Sequence, residues 1–297
     1  MRPESVEYQD LAFSMTGMYR EVYMEDDIRF LIEILDLEQI EENIYRGHSP
    51  DWHRMPRVFG GQVASQALMA AGRTVEIGSV HSLHAYFLRL GDPTIPILYE
   101  VDRIRDGRSF TTRRVVAIQR GKAILNLDAS FHIREDGPQH SVKMPEVPDP
   151  ESLQSLDERI DLDRPYPIDQ RFIGELPWVA SSVPRSPSEQ IWIRSNGILG
   201  DDPLVHACVI TYASDMSLYD SMLLPHNLRW DDPQFRGASL DHCMWFHRPF
   251  RADEWMLYDQ ESPVATGGRG LARAQMFDRQ GNLVISLAQE GLMRIVR

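Results

Sequence analysis

The sequence predicts an α+β fold built from two tandem repeats, each a curved antiparallel sheet wrapped around a central helix. Three observations carry this. The two halves of the chain resemble one another at an offset of 159 to 160 residues, a segment from Gly137 to Pro150 with four prolines divides them, and the stretch Gly61 to Gly72 is a helix apolar on nearly every side. A chain of 297 residues and 34.2 kDa is long enough for two domains of ordinary size.

Taken in order, residues 1–26 are an arm containing Met and Tyr to which the sequence assigns no structure. The first repeat, 27–135, opens with a helix from Asp27 to Leu37 whose Ile28, Leu31, Ile32 and Leu35 share one face. In the next helix Val63, Ala64, Ala67, Leu68, Ala70 and Ala71 leave little polar surface, and the alanines let a sheet approach closely. The strands that follow alternate apolar and polar residues, as in Arg114-Val115-Val116-Ala117-Ile118, and turn tightly at Arg120-Gly121-Lys122. Residues 136–164, with Pro138, Pro145, Pro148 and Pro150, have the composition of a linker. The second repeat, 165–297, repeats the pattern. Its expected helix runs roughly from Asp215 to Leu224, with strands such as Leu283-Val284-Ile285-Ser286-Leu287 and a turn at Arg279-Gln280-Gly281-Asn282. In-order matches support the duplication: Tyr86 to Arg89 with Trp245 to Arg248, Gly107 with Gly267, Arg113 with Arg273, Gly121 with Gly281, and Leu127 with Leu287. A sheet curled around a buried helix is the hotdog arrangement. Two in one chain make a double hotdog, whose sheets can pair edge to edge.

Composition excludes several classes. With 42% hydrophobic and 25% charged residues the chain is neither disordered nor fibrous. No apolar run approaches the ~18 residues of a membrane span, and Met1-Arg-Pro-Glu does not read as a signal peptide, so a cytoplasmic protein without membrane insertion is expected. The C-terminal Arg294-Ile-Val-Arg297 lacks a Ser-Lys-Leu-type peroxisomal address. Cys208 and Cys243 are too few for a disulfide framework or a zinc cluster. A net charge of −13 disfavours nucleic acid. Locally, however, Arg103, Arg105, Arg108, Arg113, Arg114, Arg120 and Lys122 stand against one acid, Asp106, and this segment is a candidate dock for a phosphorylated small molecule as well as a plain solvated strand face.

Nucleophile elbows, Walker loops, His-Glu-x-x-His and Cys-x-x-Cys are absent from the sequence. His81 with His84, and His242 with His247, are odd-numbered steps apart, so a regular strand sends each pair to opposite faces and a metal is not expected. Gly268-Arg269-Gly270 reads as a bend or bulge. Gly60-Gly61 at the start of the buried helix is a candidate oxyanion hole, because amides of a first helical turn are unpaired and glycine leaves them unobstructed; a turn with positive φ is the alternative. Asp215, after Tyr212-Ala213-Ser214, reads as the N-cap of the second helix.

A family resemblance draws these residues together. Phe59-Gly60-Gly61-Gln62, Val80 to Arg89, Tyr212-Ala213-Ser214-Asp215, Asp241-His242-x-Met244-Trp245-Phe246-His247-Arg248-Pro249-Phe250 and Gln289-Glu290-Gly291-x-Met293-Arg294 resemble the TesB-like type II acyl-CoA thioesterases over about residues 27 to 296. The resemblance implies a double hotdog that hydrolyses acyl-CoA without a cofactor. It implies an Asp, a hydroxyl and a Gln that position water, matching Asp215, Ser239 and Gln289. Ser239 stands where relatives often carry Thr and keeps the hydroxyl while losing a rotamer-restricting methyl. Gly60, Gly61 and Gln62, with Arg108 and Arg113 of the basic segment, are the expected substrate contacts, and a homo-oligomer, dimer or tetramer, is the expected assembly.

These residue types suit the chemistry. A thiolate leaving group has an acid of pKa about 8.5, so a strong general acid is dispensable and one carboxylate base suffices. A covalent route through an Asp215 anhydride is the mechanistic rival. His81 and His84 are expected as partly buried strand residues, Trp245 and Phe246 as core or acyl-channel walls, and Asp241 and His242 as supporting or structural groups. Two other functions compete: a hotdog enoyl-CoA hydratase, which needs a closely spaced Asp and His not found after either helix start, and a non-catalytic acyl-CoA binding protein.

Overall fold

The computed structural model describes residues 27–50, 56–160, 167–179, 181 and 183–296. The N-terminal arm therefore lies outside the described residues. After helix α1 (Asp27–Leu35) come the short strands β1 (Glu38–Glu41) and β2 (Ile44–Gly47), the buried helix α2 (Gly60–Gly72), and four long strands, β3 (Ser79–Phe87), β4 (Ile97–Asp106), β5 (Phe110–Gln119) and β6 (Lys122–His132). A one-turn helix α3 (Leu156–Ile160) precedes β7 (Ile168–Phe172), β8 (Ser188–Ser195) and the second buried helix α4 (Pro203–Ser214). The chain ends with α5 (Asp220–Leu223), β9 (Phe235–Ser239), β10 (Asp241–Phe246), β11 (Met256–Thr266), β12 (Arg269–Asp278) and β13 (Leu283–Ile295).

All strands join one antiparallel sheet, in the order β1-β2-β4-β5-β6-β3-β10-β13-β12-β11-β8-β7, with β9 on β13. Strands β3 and β10 pair directly and fuse the two repeats, so neither leaves a free edge at the seam. The alternation anticipated for Arg114 to Ile118 is borne by the side chains of β5, where Val115 and Ala117 are buried and Arg114, Val116 and Ile118 are not, and β6 shows the same pattern, with Leu125, Leu127, Ala129 and Phe131 buried and Asn126, Asp128 and Ser130 between them not. Arg120 and Gly121 both take positive φ, 49° and 71°, which suits the two-residue turn joining β5 to β6.

The second central helix is not where the sequence pattern put it. It is α4, Pro203–Ser214, and the segment expected from Asp215 to Leu224 carries only the four-residue α5 and a 3-10 turn. Asp202 caps α4 by accepting from the Leu204 N–H, and Pro203 occupies the first turn, where a missing N–H costs nothing. Asp215 accordingly stands at the C-terminal end of α4, not at an N-cap. Gly267 and Gly268, with φ of 59° and 74°, make the turn between β11 and β12; Gly270 is an ordinary strand residue closely approached by Met293 and Met222. The proline-rich segment is without helix or strand up to residue 149, yet Met144, Val147 and Leu153 pack on Trp192, Trp255, Leu257 and Phe277, and Trp192 Nε1 donates to the Pro148 carbonyl at 2.9 Å.

Helices α2 and α4 lie against each other in opposite directions inside the curled sheet. Gly72 at the end of α2 meets the Leu204 side chain at the start of α4, whereas Gly60 and Gly61 at the start of α2 meet Asp215 and the Tyr212 carbonyl at the end of α4.

Candidate active site

The N-cap of α2 is Phe59, whose side chain makes no capping hydrogen bond. Asp215, arriving from the other repeat, faces the Gly61 N–H in its stead. An aspartate thus caps a helix after all, but across the helix pair and not on its own chain segment. The approach depends on glycine: a Cβ on Gly60 would lie 2.7 Å from Asp215 Oδ2 and 3.0 Å from the Phe87 ring, and one on Gly61 would lie 2.6 Å from the Tyr212 carbonyl oxygen.

Strand β13 supplies the second partner. Its helix-facing row reads Ile285, Leu287, Gln289, Gly291, a polar residue placed in an otherwise apolar series. The Gln289 Nε2 donates to Asp215 Oδ1 at 2.9 Å. Burial dominates the acidity of Asp215 and pushes its carboxyl up from 3.8 to about 6, against the opposing pull of Gln289, the Gly61 N–H and the positive charge of Arg57. Such a group is ionised at neutral pH yet basic enough to take a proton from water.

Ser239 reaches the same face through an irregularity of the sheet. On β13 the partner of Ala288 is Cys243 and the partner of Gly291 is Ser239, so four steps on one side oppose three on the other. The extra residue is a β-bulge at the β9–β10 junction, where the Asp241 carboxylate accepts the Glu290 N–H. Ser239 and His242 are three apart and would point to opposite faces in a regular strand; the bulge turns both inward, on either side of Gln289. Ser239 makes no side-chain hydrogen bond among the described residues, and its cross-strand neighbour Gly291 leaves room for the ring of Tyr219, whose hydroxyl donates to the Leu292 carbonyl.

Three expected substrate contacts are placed differently from Gly60 and Gly61. The Gln62 side chain is buried and donates to the His48 carbonyl and Ser49 Oγ, tying down the chain ahead of α2. Arg113 is also buried, and its five N–H groups are met by Thr74 Oγ1, the carbonyls of Thr74, Arg105 and Thr112, and Asp106, which leaves none for a phosphate. Arg108 is exposed in the β4–β5 turn. Of the other basic residues, Arg114 pairs with Asp128, Arg120 with Asp92 and Arg103 with Glu42. Phe246 is buried, but Trp245 lies on the outer face against His84, which is exposed, so Trp245 is not a channel wall and His84 is not partly buried.

Arg57 and Tyr219 were not singled out from the sequence, and both belong to this region: the charge of Arg57 acts on Asp215 and on Tyr219. The only local signals were a basic residue just ahead of Phe59-Gly60-Gly61 and an aromatic four residues past Asp215.

Comparison with known proteins identifies the family. A family model described as acyl-CoA thioesterase matches residues 171–292, and one described as the acyl-CoA thioesterase N-terminal domain matches residues 48–132. The chain belongs to the acyl-CoA thioesterase family. Acyl-coenzyme A thioesterase 8 of Homo sapiens is 42% identical over 283 residues, 88% of each chain, and acyl-CoA thioesterase 2 of Haemophilus influenzae is 38% identical, covering 91% of this chain and 99% of that one. The crystal structure of acyl-CoA thioesterase II TesB2 from Mycobacterium marinum superposes with a TM-score of 0.76 at 44% identity, covering 89% of this thioesterase-family chain and 97% of the other. A hot dog fold protein from Alicyclobacillus acidocaldarius, at 17% identity, shares the fold with a TM-score of 0.76. Among the described residues no helix of this family member is long and apolar enough to cross a membrane, and no cluster of His, Cys, Asp and Glu has the makings of a metal site.

Proposed function

We propose that this family member hydrolyses acyl-CoA thioesters with Asp215 as the base that activates water. The observation that carries the reading is a buried carboxylate at the junction of two helix ends, held by a hydrogen bond from Gln289 Nε2 at 2.9 Å and facing the Gly61 N–H. Two donors fix the direction of the carboxylate, and desolvation keeps its basicity near neutrality. Water bound between Asp215, Gln289 and Ser239 loses a proton to Asp215 as its oxygen attacks the thioester carbon. The remaining first-turn amides of α2 beside Gly61 receive the developing oxyanion, helped by the positive end of the helix. Collapse breaks the C–S bond, and the CoA thiolate leaves without a dedicated acid. Arg108, exposed in the β4–β5 turn, is the proposed contact for CoA phosphates, and the acyl-CoA substrate is the one partner assigned.

Thiol release from palmitoyl-CoA tests the activity, and single-turnover hydrolysis in ¹⁸O-water tests the mechanism. The label should enter the fatty acid in the first turnover. A first turnover that carries unlabelled oxygen from Asp215 into product would replace base catalysis by the anhydride route; absence of thiol release, with acyl-CoA still bound, would remove hydrolysis altogether.

A further inference from the structure

We infer that His242 is a positioning residue that fixes the Gln289 amide so that its nitrogen, not its oxygen, faces Asp215. The inference rests on the site reading above for its catalytic meaning, but its geometry stands apart from it. His242 is fully buried on the inward row of β10 with Met244 and Phe246, and the register that sets Cys243 opposite Ala288 brings it across from Gln289. Its Nε2 lies 2.8 Å from Ser214 Oγ, next in sequence to Asp215. Within the described structure its Nδ1 and the Gln289 Oε1 are both buried, and neither has a hydrogen-bond partner. Because Gln289 Nε2 is already on Asp215, pairing the two orphaned atoms, with Oε1 turned to the imidazole, satisfies both.

The proton on the ring can then be assigned. Burial holds the His242 pKa down to about 4, so the ring is neutral and carries one N–H. Were that proton on Nε2, Nδ1 would turn a lone pair toward the amide oxygen, placing two acceptors together in a dry site. With the proton on Nδ1, the Ser214 hydroxyl donates to Nε2, His242 donates to Gln289 Oε1, and Gln289 Nε2 donates to Asp215, each donor pointing toward the carboxylate. The Ser214 hydroxyl has a competing acceptor in the Thr211 carbonyl at 3.0 Å, slightly farther than the imidazole. A glutamine is symmetric in outline, and a flip that set its oxygen against Asp215 is opposed at one end by the carboxylate, an acceptor only, and at the other by the Nδ1–H of His242.

The test uses two amide replacements that imitate opposite ends of the ring. His242→Asn keeps a donor near the Nδ1 position, whereas His242→Gln reaches toward Ser214 and loses the donor to Gln289. We expect kcat to fall about tenfold in His242→Gln with KM within twofold, and to stay within threefold of the parent in His242→Asn. In a Gln289→Ala background, His242→Gln should cost no further activity. Equal losses in the Asn and Gln variants, or an undiminished loss in the Gln289→Ala background, would reduce His242 to a packing residue and overturn the inference. A readout independent of activity is ¹⁵N NMR of histidine-labelled protein: the His242 signals should show a neutral ring protonated at Nδ1 and should move in Gln289→Leu. A ring protonated at Nε2 refutes the inference even if the chain hydrolyses acyl-CoA, and the NMR result stands unaffected if it does not.

Discussion

Replacing Asp215 by Asn should abolish activity and stabilise the protein, with the stability gain growing as pH rises. A carboxyl raised from 3.8 to about 6 in the folded state works against folding wherever it is ionised. The sign follows from linkage: the folded state binds the proton more tightly, so stability is greatest below the unfolded pKa and declines as pH rises through the folded one. Ionic Asp215 therefore costs about 1.6 kcal/mol at pH 5 and about 3 kcal/mol at pH 8. Asparagine escapes that cost. It has one oxygen for two donors, the Gln289 Nε2 and the Gly61 N–H, and so forfeits one hydrogen bond worth ~1 kcal/mol. The net gain is about 2 kcal/mol at pH 8 and close to 0.5 kcal/mol at pH 5, while turnover falls by at least ~10²-fold for loss of the base. Urea unfolding of parent and variant at both pH values measures the first, and thiol release from palmitoyl-CoA the second. An Asn variant less stable than the parent at pH 8, or a difference independent of pH, would show that Asp215 is not held against its own desolvation. In the parent, kcat/KM should lose activity on an acid limb centred near pH 6; a limb near 4 would point to a different base.

Further substitutions separate positioning, water binding and scaffold. Gly60→Ala should improve helix propensity by about 1 kcal/mol yet lower kcat at least ~10-fold, because its Cβ falls 2.7 Å from Asp215 Oδ2; circular dichroism and turnover together check it, and unchanged kcat refutes the close approach. Ser239→Ala should cost no more than the ~0.5–1.5 kcal/mol of one neutral hydrogen bond in activation free energy and Gln289→Ala more, with Ser239→Thr active and the double variant better than the product of the singles; independent effects at unchanged Tm would mean they share no water. Arg113→Met should lower stability by at least ~2 kcal/mol, read from urea unfolding, whereas Arg108→Glu should raise KM for acyl-CoA far more than for a short, phosphate-free thioester; equal KM changes for both substrates would remove Arg108 from the CoA site.

Most of the architecture was legible because it rests on periodicity. The alternation in β6 and β13, the glycine turn after Arg120 and the all-round apolar α2 each have a local signature, and Gln289 is conspicuous as a polar residue at i+2 and i+4 from Leu287 and Ile285. What escaped was set by tertiary context. Helix α4 is buried all round and has no amphipathic face, so a polar Asp215 looked like a beginning although the Asp202-Pro203 pair upstream carries the proper start signal. The parity rule that separates residues three apart fails at the bulge, and with it the means of seeing Ser239 and His242 on one face. Arg113 sits in a run of charges that resembles a solvated surface, and only the fold reveals that its neighbours spend every donor it has.

The candidate site lies at one end of the α2–α4 pair, and the two ends differ in what closes them. Each central helix ends on a charged residue, Arg73 for α2 and Asp215 for α4. A cation at a helix C-terminus agrees with the macrodipole, and Arg73 further donates to the Leu37 carbonyl and Asp36, while Arg113 and Thr74 lock the chain beside it and Leu204 fills the space against Gly72. That end is a plug in which local preference and packing agree. At the other end an anion stands at the negative pole of its own helix, unfavourably, and is held by the positive pole of the opposing helix through a glycine pair and by one amide from β13. A carboxylate between opposed dipole ends, desolvated and oriented by two donors, is the arrangement that keeps its basicity in the range useful at neutral pH. The departure from helix-end preference and the candidate chemistry coincide at the same residue, which is where a fold otherwise consistent with its local signals is expected to tolerate conflict.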